Sequence, residues 1–598
     1  MQDSSRPAQP GVEAAGTQTR LVRHATALAG FILLTAVFFW PVVGHLPTRI
    51  LSDGGDGPAY LWNLWALPHA LLSGHNPFAT DHLFYPVGAL TAFNTNMPLV
   101  AMLSWPLQKL FGLGVAANIV QLGAVVLSGF GAYLLAEHVT GDRWASFVAG
   151  TAFTFVPYHF AHLAHFDLNH LEFLPFGLWT LLRLYQRPTR GRALAYGAVV
   201  GLTFLTDSYY FVFLLIASAV VAAWQWRETL RREMAVRLGE AAATAAVVAA
   251  PLLAAMLREI VVFHSLDPLT NWAGADSYSS DLLSWVTPAV QQRIWAPHVA
   301  RWALATGGER LAFPGTVVFL LVVYAVVRGH ARRHGLWLAL AGVFAVLSFG
   351  PFLHVATRTG GWFTAYGAHF AVPMPYYVVH FIPIVNGVRD PGRFSVVGAL
   401  ALDVLAAVAV ARLAAVAGRR GRRWAVAVPV VALALVLVES YPTTIPRLQT
   451  AIPRPYGAIA ADPGQGAVLE VPLQWRTGFG QWGDTGGDDT MAMYYATRHH
   501  KPLVGGMVAR YPARRLRLIL DNALYRQVMD LQAPEDPGHP TEFDAAELRQ
   551  DGIGYVVYHR DRPRPRAAAY LSGLHLPVLA DDGTVIVWKV PVSGAAVG

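Results

Sequence analysis

A succession of mainly apolar stretches, each of about 17 to 25 residues, runs through this chain. They lie near residues 24–44, 115–138, 144–161, 171–186, 192–206, 209–226, 238–257, 312–328, 335–352, 394–417 and 424–440. A bilayer interior offers no water to backbone N–H and C=O groups, so a segment lying in it must satisfy them as a helix or within a closed barrel. Runs this long and continuous specify helices, and the fold expected is an α-helical polytopic membrane protein with about 11 transmembrane helices. Composition agrees: 54% of the 598 residues are hydrophobic and 14% charged, against roughly a quarter charged in a soluble domain. A water-soluble globular fold is excluded.

An odd number of spans puts the two ends of the membrane region on opposite sides, and arginine decides which is which. Lys and Arg in short loops mark the cytoplasmic side. With a cytoplasmic N-terminus, the inner loops carry Arg143, then Arg183, Arg187, Arg190 and Arg192, then Arg227, Arg231, Arg232 and Arg237, then Arg328, Arg332 and Arg333, then Arg419 to Arg423. The stretch Met97 to Leu113 is apolar but broken by Pro98 and Pro106, and counting it as a span would invert every later loop. It is read as re-entrant or lying along the outer surface. The organisation expected is a disordered cytoplasmic tail (1–23), a transmembrane domain (24–440) with a first outer loop at 45–114, and an extracytoplasmic C-terminal domain (441–598).

That last part changes character. Gly466 to Val471, Gly554 to Tyr558 and Thr584 to Trp588 are short runs of β-branched and aromatic residues bounded by Gly, Pro and Asp, the pattern of strands in a small α/β domain. The net charge of +8 comes from Arg, with Lys only at 109, 501 and 589. It reports membrane topology, and no nucleic-acid partner is expected. With no Cys in the chain, disulfides, thiolate catalysis and thiolate-bound metals are excluded.

Directly after the first apolar stretch comes Ser52-Asp53-Gly54-Gly55-Asp56-Gly57. A carboxylate there suits two jobs: a general base for an attacking hydroxyl, or a ligand of a divalent cation (Mg or Mn) beside a departing phosphate. The plainer reading is a turn in which Asp caps the following helix and glycines supply positive φ. That helix, from Pro58 through Trp65, has the aromatic content of a membrane interface.

A second group is the run Tyr158 to Glu172. His159, His162 and His165 recur every three residues, so on a helix they share one face, with Asp167, His170 and Glu172 just beyond. A metal is one reading of this His and Asp set; interfacial histidines bonded to carbonyls or headgroups are the other. Asp167 and His165 are the favoured members. In Asn386 to Phe394, Arg389 and Arg393 straddle a Pro-Gly turn and can converge on one phosphate, or pair with Asp390 and headgroups. Asp207 reads as a helix cap.

On these residues the chain resembles the GT-C superfamily of membrane glycosyltransferases, in a poorly characterised bacterial branch. Ser52 to Pro58, Thr140-Gly141-Asp142-Arg143-Trp144 and Tyr494 to Pro502 carry the branch likeness. The superfamily implies an acid after the first span, matched by Asp53 and Asp56, and a second acidic loop between spans three and four, matched by Asp167 and Glu172. The chain departs from the strict Asp-x-Asp spacing and lacks the Trp-Trp-Asp-Tyr-Gly sequence of oligosaccharyltransferases, which argues against asparagine glycosylation. What the resemblance implies is an inverting hexosyl or pentosyl transferase on the outer face of the cytoplasmic membrane. A polyprenyl-phosphate sugar would be the donor, Arg389 and Arg393 would hold its phosphate, and Asp56 or Asp53 would be the base. The acceptor would be a hydroxyl on a glycan, lipid or protein.

Two readings of other classes stand beside it. A transporter or flippase for a lipid-linked saccharide would line its path with the same groups, but needs polar residues through the membrane thickness. Here they gather on one side. A non-catalytic envelope-assembly protein would leave Asp56 dispensable.

Overall fold

The computed structural model describes residues 10–263, 274–360, 363–365, 368–382, 388–484, 490–535, 538 and 542–591. A helix lies in each of the eleven apolar stretches, and two more lie in the first loop. In chain order they are α1 (Pro10–Phe38), α2 (Gly57–Leu72), α3 (Pro98–Phe111), α4 (Leu113–Thr140), α5 (Arg143–Thr154), α6 (Phe173–Gln186) and α7 (Arg190–Phe204). There follow α8 (Ser208–Trp224), α9 (Arg232–Val261), α10 (Thr316–Val327), α11 (Gly335–Ser348), α12 (Ser395–Gly418) and α13 (Arg422–Ser440). Among the described residues, five helices are long and apolar enough to cross a membrane: Arg20–Phe38, Leu113–Thr140, Arg232–Val261, Pro391–Gly418 and Arg422–Ser440; Ser208–Trp224 and Thr316–Val327 are shorter apolar helices. Helix α1 begins at Pro10 and so runs through much of the stretch expected to be a disordered tail.

Helix α12 is the axis of the bundle. Its small residues, Gly398, Ala399, Ala401, Ala406, Ala407 and Ala409, are buried along it, and α4, α5, α10, α11 and α13 pack against it. Small residues allow such close approach where helices associate without a hydrophobic driving force from water. The α4/α5 crossing shows the limit: a Cβ on Gly150 would meet Gly129 O at 2.6 Å and Phe31 at 2.7 Å. The broken stretch after Met97 is helix α3, of 14 residues and so about 21 Å long, short of the roughly 30 Å hydrocarbon thickness. It buries Val100, Ala101 and Ser104 and exposes Met102, Leu103, Leu110 and Phe111, and Leu99 N donates to Leu205 O beyond the end of α7.

After α13 the chain builds α14 (Arg454–Ala461), β1 (Ala467–Val471), β2 (Gln474–Thr477), β3 (Gln481–Gly483), α15 (Met491–His499), β4 (Gly506–Val508), β5 (Ile553–His559), β6 (Val578–Asp581) and β7 (Val585–Lys589). One sheet has the order β6-β7-β5-β1 and a smaller one β4-β2-β3. Strand β5 is parallel to β1 and antiparallel to β7, with Val556 opposite Leu469 and Trp588. All residues of β1 and β5 are buried, which is why both are mainly apolar, and the two charged exceptions, Glu470 and His559, pair with each other at 2.8 Å.

The first loop belongs to this region's core. Ala59 and Trp62 of α2, with Leu83, Phe84 and Ala89, share one apolar cluster with β1, β5 and β7. Phe84 stacks on Tyr511 at 4.3 Å, and Phe84 N and Leu503 N donate to Gly505 O and His82 O respectively.

Candidate functional site

The segment between α1 and α2 folds tightly: a Cβ on Gly57 would fall 1.6 Å from Ser52 Oγ, so glycine is required there. Asp56 stands at the N-cap of α2 but makes no capping bond, and Pro58 in the first turn removes one donor that a cap would serve. The carboxylate turns away instead. Its Oδ1 accepts from Arg476 Nη1 of β2 at 2.6 Å, and its Oδ2 lies 3.4 Å from His165 Nε2. Thr490 Oγ1 donates to Gly55 O at 2.6 Å, fixing the turn from the C-terminal side. Asp53 does what the turn reading expects: it is exposed, and its Oδ1 accepts from Gly55 N at 3.1 Å.

Burial would raise the Asp56 carboxyl, but the hydrogen bond and charge of His165 and then of Arg476 outweigh it and hold the group below its ordinary value. Burial works in the opposite sense on His165, and there too the Asp56 contact prevails, raising the imidazole above its ordinary value. Each contact favours the charged form of its partner.

Residues 157–172 are not one helix. Only Pro157–Ala161 is helical before turns take over, so the three-residue spacing of histidines marks no common face, and each ring has a separate partner. His159 Nδ1 meets Thr154 O at 2.7 Å. His162 Nδ1 meets Tyr158 O at 2.7 Å and its Nε2 meets Glu309 Oε2 at 3.2 Å. His170 Nδ1 meets Glu172 Oε1 at 2.8 Å. Among the described residues no three His, Asp or Glu side chains gather as a metal-binding set, and both Asp56 oxygens already face a cation.

Asp167 is buried, lies against the Tyr60 hydroxyl, and keeps Oδ1 without a partner. Asp207 caps α8, accepting from Tyr210 N at 2.6 Å. Burial, and secondarily the charge of Asp167, push its carboxyl up to about 8.

The two arginines of 386–394 both lie 3.5 Å from Asp390 Oδ2 and differ in their other partners. Arg393 is buried and bound on both sides: Nε and Nη2 each donate at 2.8 Å to the two oxygens of Glu309, and Nη1 lies 3.5 Å from Asp390 Oδ2. Tyr209 OH donates to the same Asp390 oxygen at 2.7 Å. Burial would raise Glu309, yet Arg393 and His162 hold it well below the usual carboxylate range. Arg389 donates to Gly478 O, in the turn following Arg476, and lies over the rings of Tyr278 (5.4 Å) and Phe479 (5.5 Å). Arg510 covers Phe479 at 4.7 Å and has no carboxylate partner among the described residues.

A ring of contacts therefore closes: Arg476 to Asp56, Asp56 to His165, His165 beside His162 at 6.1 Å between rings, His162 to Glu309, Glu309 to Arg393, Arg393 to Asp390, and Arg389 back to the turn after Arg476. It unites Asp56, His165, His162, Arg389 and Arg393, and leaves Asp53, His170 and Glu172 outside. Glu309 and Arg476 belong to it, and Tyr60 and Arg510 border it, without a local signal in sequence; Arg476 meets an acid 420 positions away.

Residues 25–439 match the model of the family described as a domain of unknown function, DUF6311, and the chain belongs to that family. No curated protein matches it in sequence. Among solved structures it is similar to the arabinofuranosyltransferase AftD from Mycobacteria, at 18% identity and a TM-score of 0.59, over 95% of this chain and 40% of that one. The Archaeoglobus fulgidus oligosaccharyltransferase overlays at 13% identity and 0.48, over 91% and 72%. ArnT from Cupriavidus metallidurans overlays at 15% and 0.42, over 96% and 99%. The chain spans 40% of the length of AftD, and the likeness to AftD shows a shared fold.

Proposed function

We propose that this DUF6311 protein is an inverting membrane glycosyltransferase that moves a sugar from a polyprenyl-phosphate donor to an acceptor hydroxyl. The observation that carries the reading is the Asp56 carboxylate, aimed away from its own helix at Arg476 and His165, basic groups from two distant segments of the chain. A capping aspartate needs neither Arg476 nor His165. Asp56 accepts the acceptor's proton, and His165 and Arg476 hold its carboxylate in place. The acceptor oxygen attacks the anomeric carbon while the carbon–oxygen bond to the lipid phosphate breaks, its electron pair leaving on the phosphate. Arg389 and Arg510, flanking the exposed Phe479, are assigned to that phosphate. Arg393, saturated by Glu309 and Asp390, is assigned to holding the site's shape.

Eleven spans with a cytoplasmic N-terminus put this ring on the outer face of the cytoplasmic membrane. Arg143 over Trp144, Arg183 over Trp179, Arg227 over Trp226 and Arg423 over Trp424 support that parity. All four pairs stand at helix ends away from Asp56, as an aromatic and cationic belt at the inner interface would. The core shared by the first loop and the C-terminal region makes that region the support of Arg476 and Arg510, and the surface that meets the acceptor glycan, lipid or protein.

Purified protein supplied with polyprenyl-phosphate pentoses and hexoses and an envelope glycan extract should release polyprenyl phosphate. Asp56→Asn should lower turnover at least about 100-fold, while Asp53→Asn stays near wild type. Wild-type turnover in Asp56→Asn sinks the mechanism. A chelator arm reports whether any divalent cation takes part.

A further inference from the structure

At the end of the bundle opposite Asp56, a cavity of about 440 Å³ opens between four helices, lined by Arg20 and His24 of α1, His138 of α4, Arg183 of α6, Arg187 and Arg192. Glu137 is the one carboxylate on its wall, so four guanidinium groups face a single negative charge. None of the four arginines has an ion pair among the described residues. Arg192 Nη1 donates to Arg183 O at 2.5 Å and Arg183 lies over Trp179 at 4.6 Å, contacts that orient the cations and leave donors over. His24 Nδ1 is buried with no hydrogen-bond partner, its ring edge-on to Tyr133 at 5.8 Å. Gln121, beside the ring of the candidate site, and His138 are separated on α4 by about 25 Å at 1.5 Å per residue, so this cavity plays no part in the transfer chemistry.

Like charges gathered in a concave, partly desolvated site repel one another, and the arrangement is stable only with a counter-charge. Guanidinium forks match phosphate oxygens two at a time, and Trp179 sets the level of a membrane interface. We propose that this cavity is a binding site for a phosphate group, held in the resting protein by an anionic lipid headgroup of the inner leaflet. Scattered inner-loop arginines attract anionic lipid diffusely, at about tenfold or less per charge; a cavity that converges four of them retains one molecule.

The test uses the full chain in nanodiscs of phosphatidylcholine with phosphatidylglycerol or cardiolipin, with native mass spectrometry counting the lipid retained after transfer to detergent. Arg183→Gln/Arg187→Gln/Arg192→Gln should weaken retention roughly 10- to 100-fold. Arg328→Gln/Arg332→Gln/Arg333→Gln, on another basic loop, should not. Arg20→Glu/Arg187→Glu, at two exposed side chains, repeats the test without buried substitutions. Binding of inorganic phosphate that is lost in the cavity variants, with no difference in lipid retention, assigns the same site to a free phosphate compound. Equal retention of lipid and equal binding of phosphate by wild type, cavity variants and loop control overturn the proposal.

Discussion

Asp56 shows how two contacts set a residue's chemistry. His165 and, after it, Arg476 offset the burial that would otherwise raise the carboxyl, so Arg476→Gln should move the acid limb of the pH–rate profile toward neutral pH, with turnover at high pH reduced less than in Asp56→Asn. The stability contributed by the Asp56–His165 pair follows from the same shifts. Asp56 is depressed below 3.8, so its share is present above that value and lost as pH falls through the lower folded value. His165 is raised above 6.5, so its share is present below 6.5 and lost as pH rises through the higher folded value. Thermal melts should therefore be steadiest between those limits, and Asp56→Asn should flatten both flanks. Arg393→Met leaves the half-buried Glu309 with His162 as its only partner in this cluster and should cost about 3 kcal/mol or less, whereas Arg393→Met/Glu309→Leu recovers part of it. Asp56 and the arginines of 386–394 were legible in sequence because acids and arginines beside apolar spans are costly and stand out. Arg476 and Glu309 were not, since nothing local separates them from ordinary surface charge.

At the level of elements, the apolar runs locate the helices, while their ends are decided by tertiary contacts. The run expected as a helical histidine face leaves the helix after Ala161. Beyond it Tyr210 OH donates to Leu168 O at 2.6 Å, a backbone carbonyl that a continued helix would bond internally. Close packing of α4 on α5 depends on Gly150, and Gly150→Val would drive its side chain into Gly129 O and Phe31. Such overpacking costs typically about 1–3 kcal/mol, so the variant should melt lower in a thermal-shift assay. Gly123→Ala on α4, where a Cβ meets nothing within 4 Å, should not. An unchanged melt in Gly150→Val would mean that the two helices do not cross this closely.

Across the whole molecule, the C-terminal region and the first loop form one body, and Asp56 is catalytic only if that body holds Arg476 against it on the side where the donor's phosphate emerges. Sequence composition locates the two regions separately; their fusion rests on Trp62, Phe84 and Tyr511, apolar residues with no periodic signature, so it could not be read in advance. Sidedness is the property on which the lipid-phosphate reading depends most, and the absence of cysteine makes it measurable without background. Asp53→Cys is exposed beside the candidate site, and Arg187→Cys lies at the opposite helix ends. A membrane-impermeant maleimide applied to intact spheroplasts should label Asp53→Cys and spare Arg187→Cys until the membrane is opened, with Asp53→Cys retaining turnover. Labelling of both from one side would put an even number of crossings between them, because α1 through α6 alternate sides only if the helix α3 does not cross. That result would return α3 to the count of spans and move Asp56 away from the leaflet in which an outer-face donor presents its phosphate.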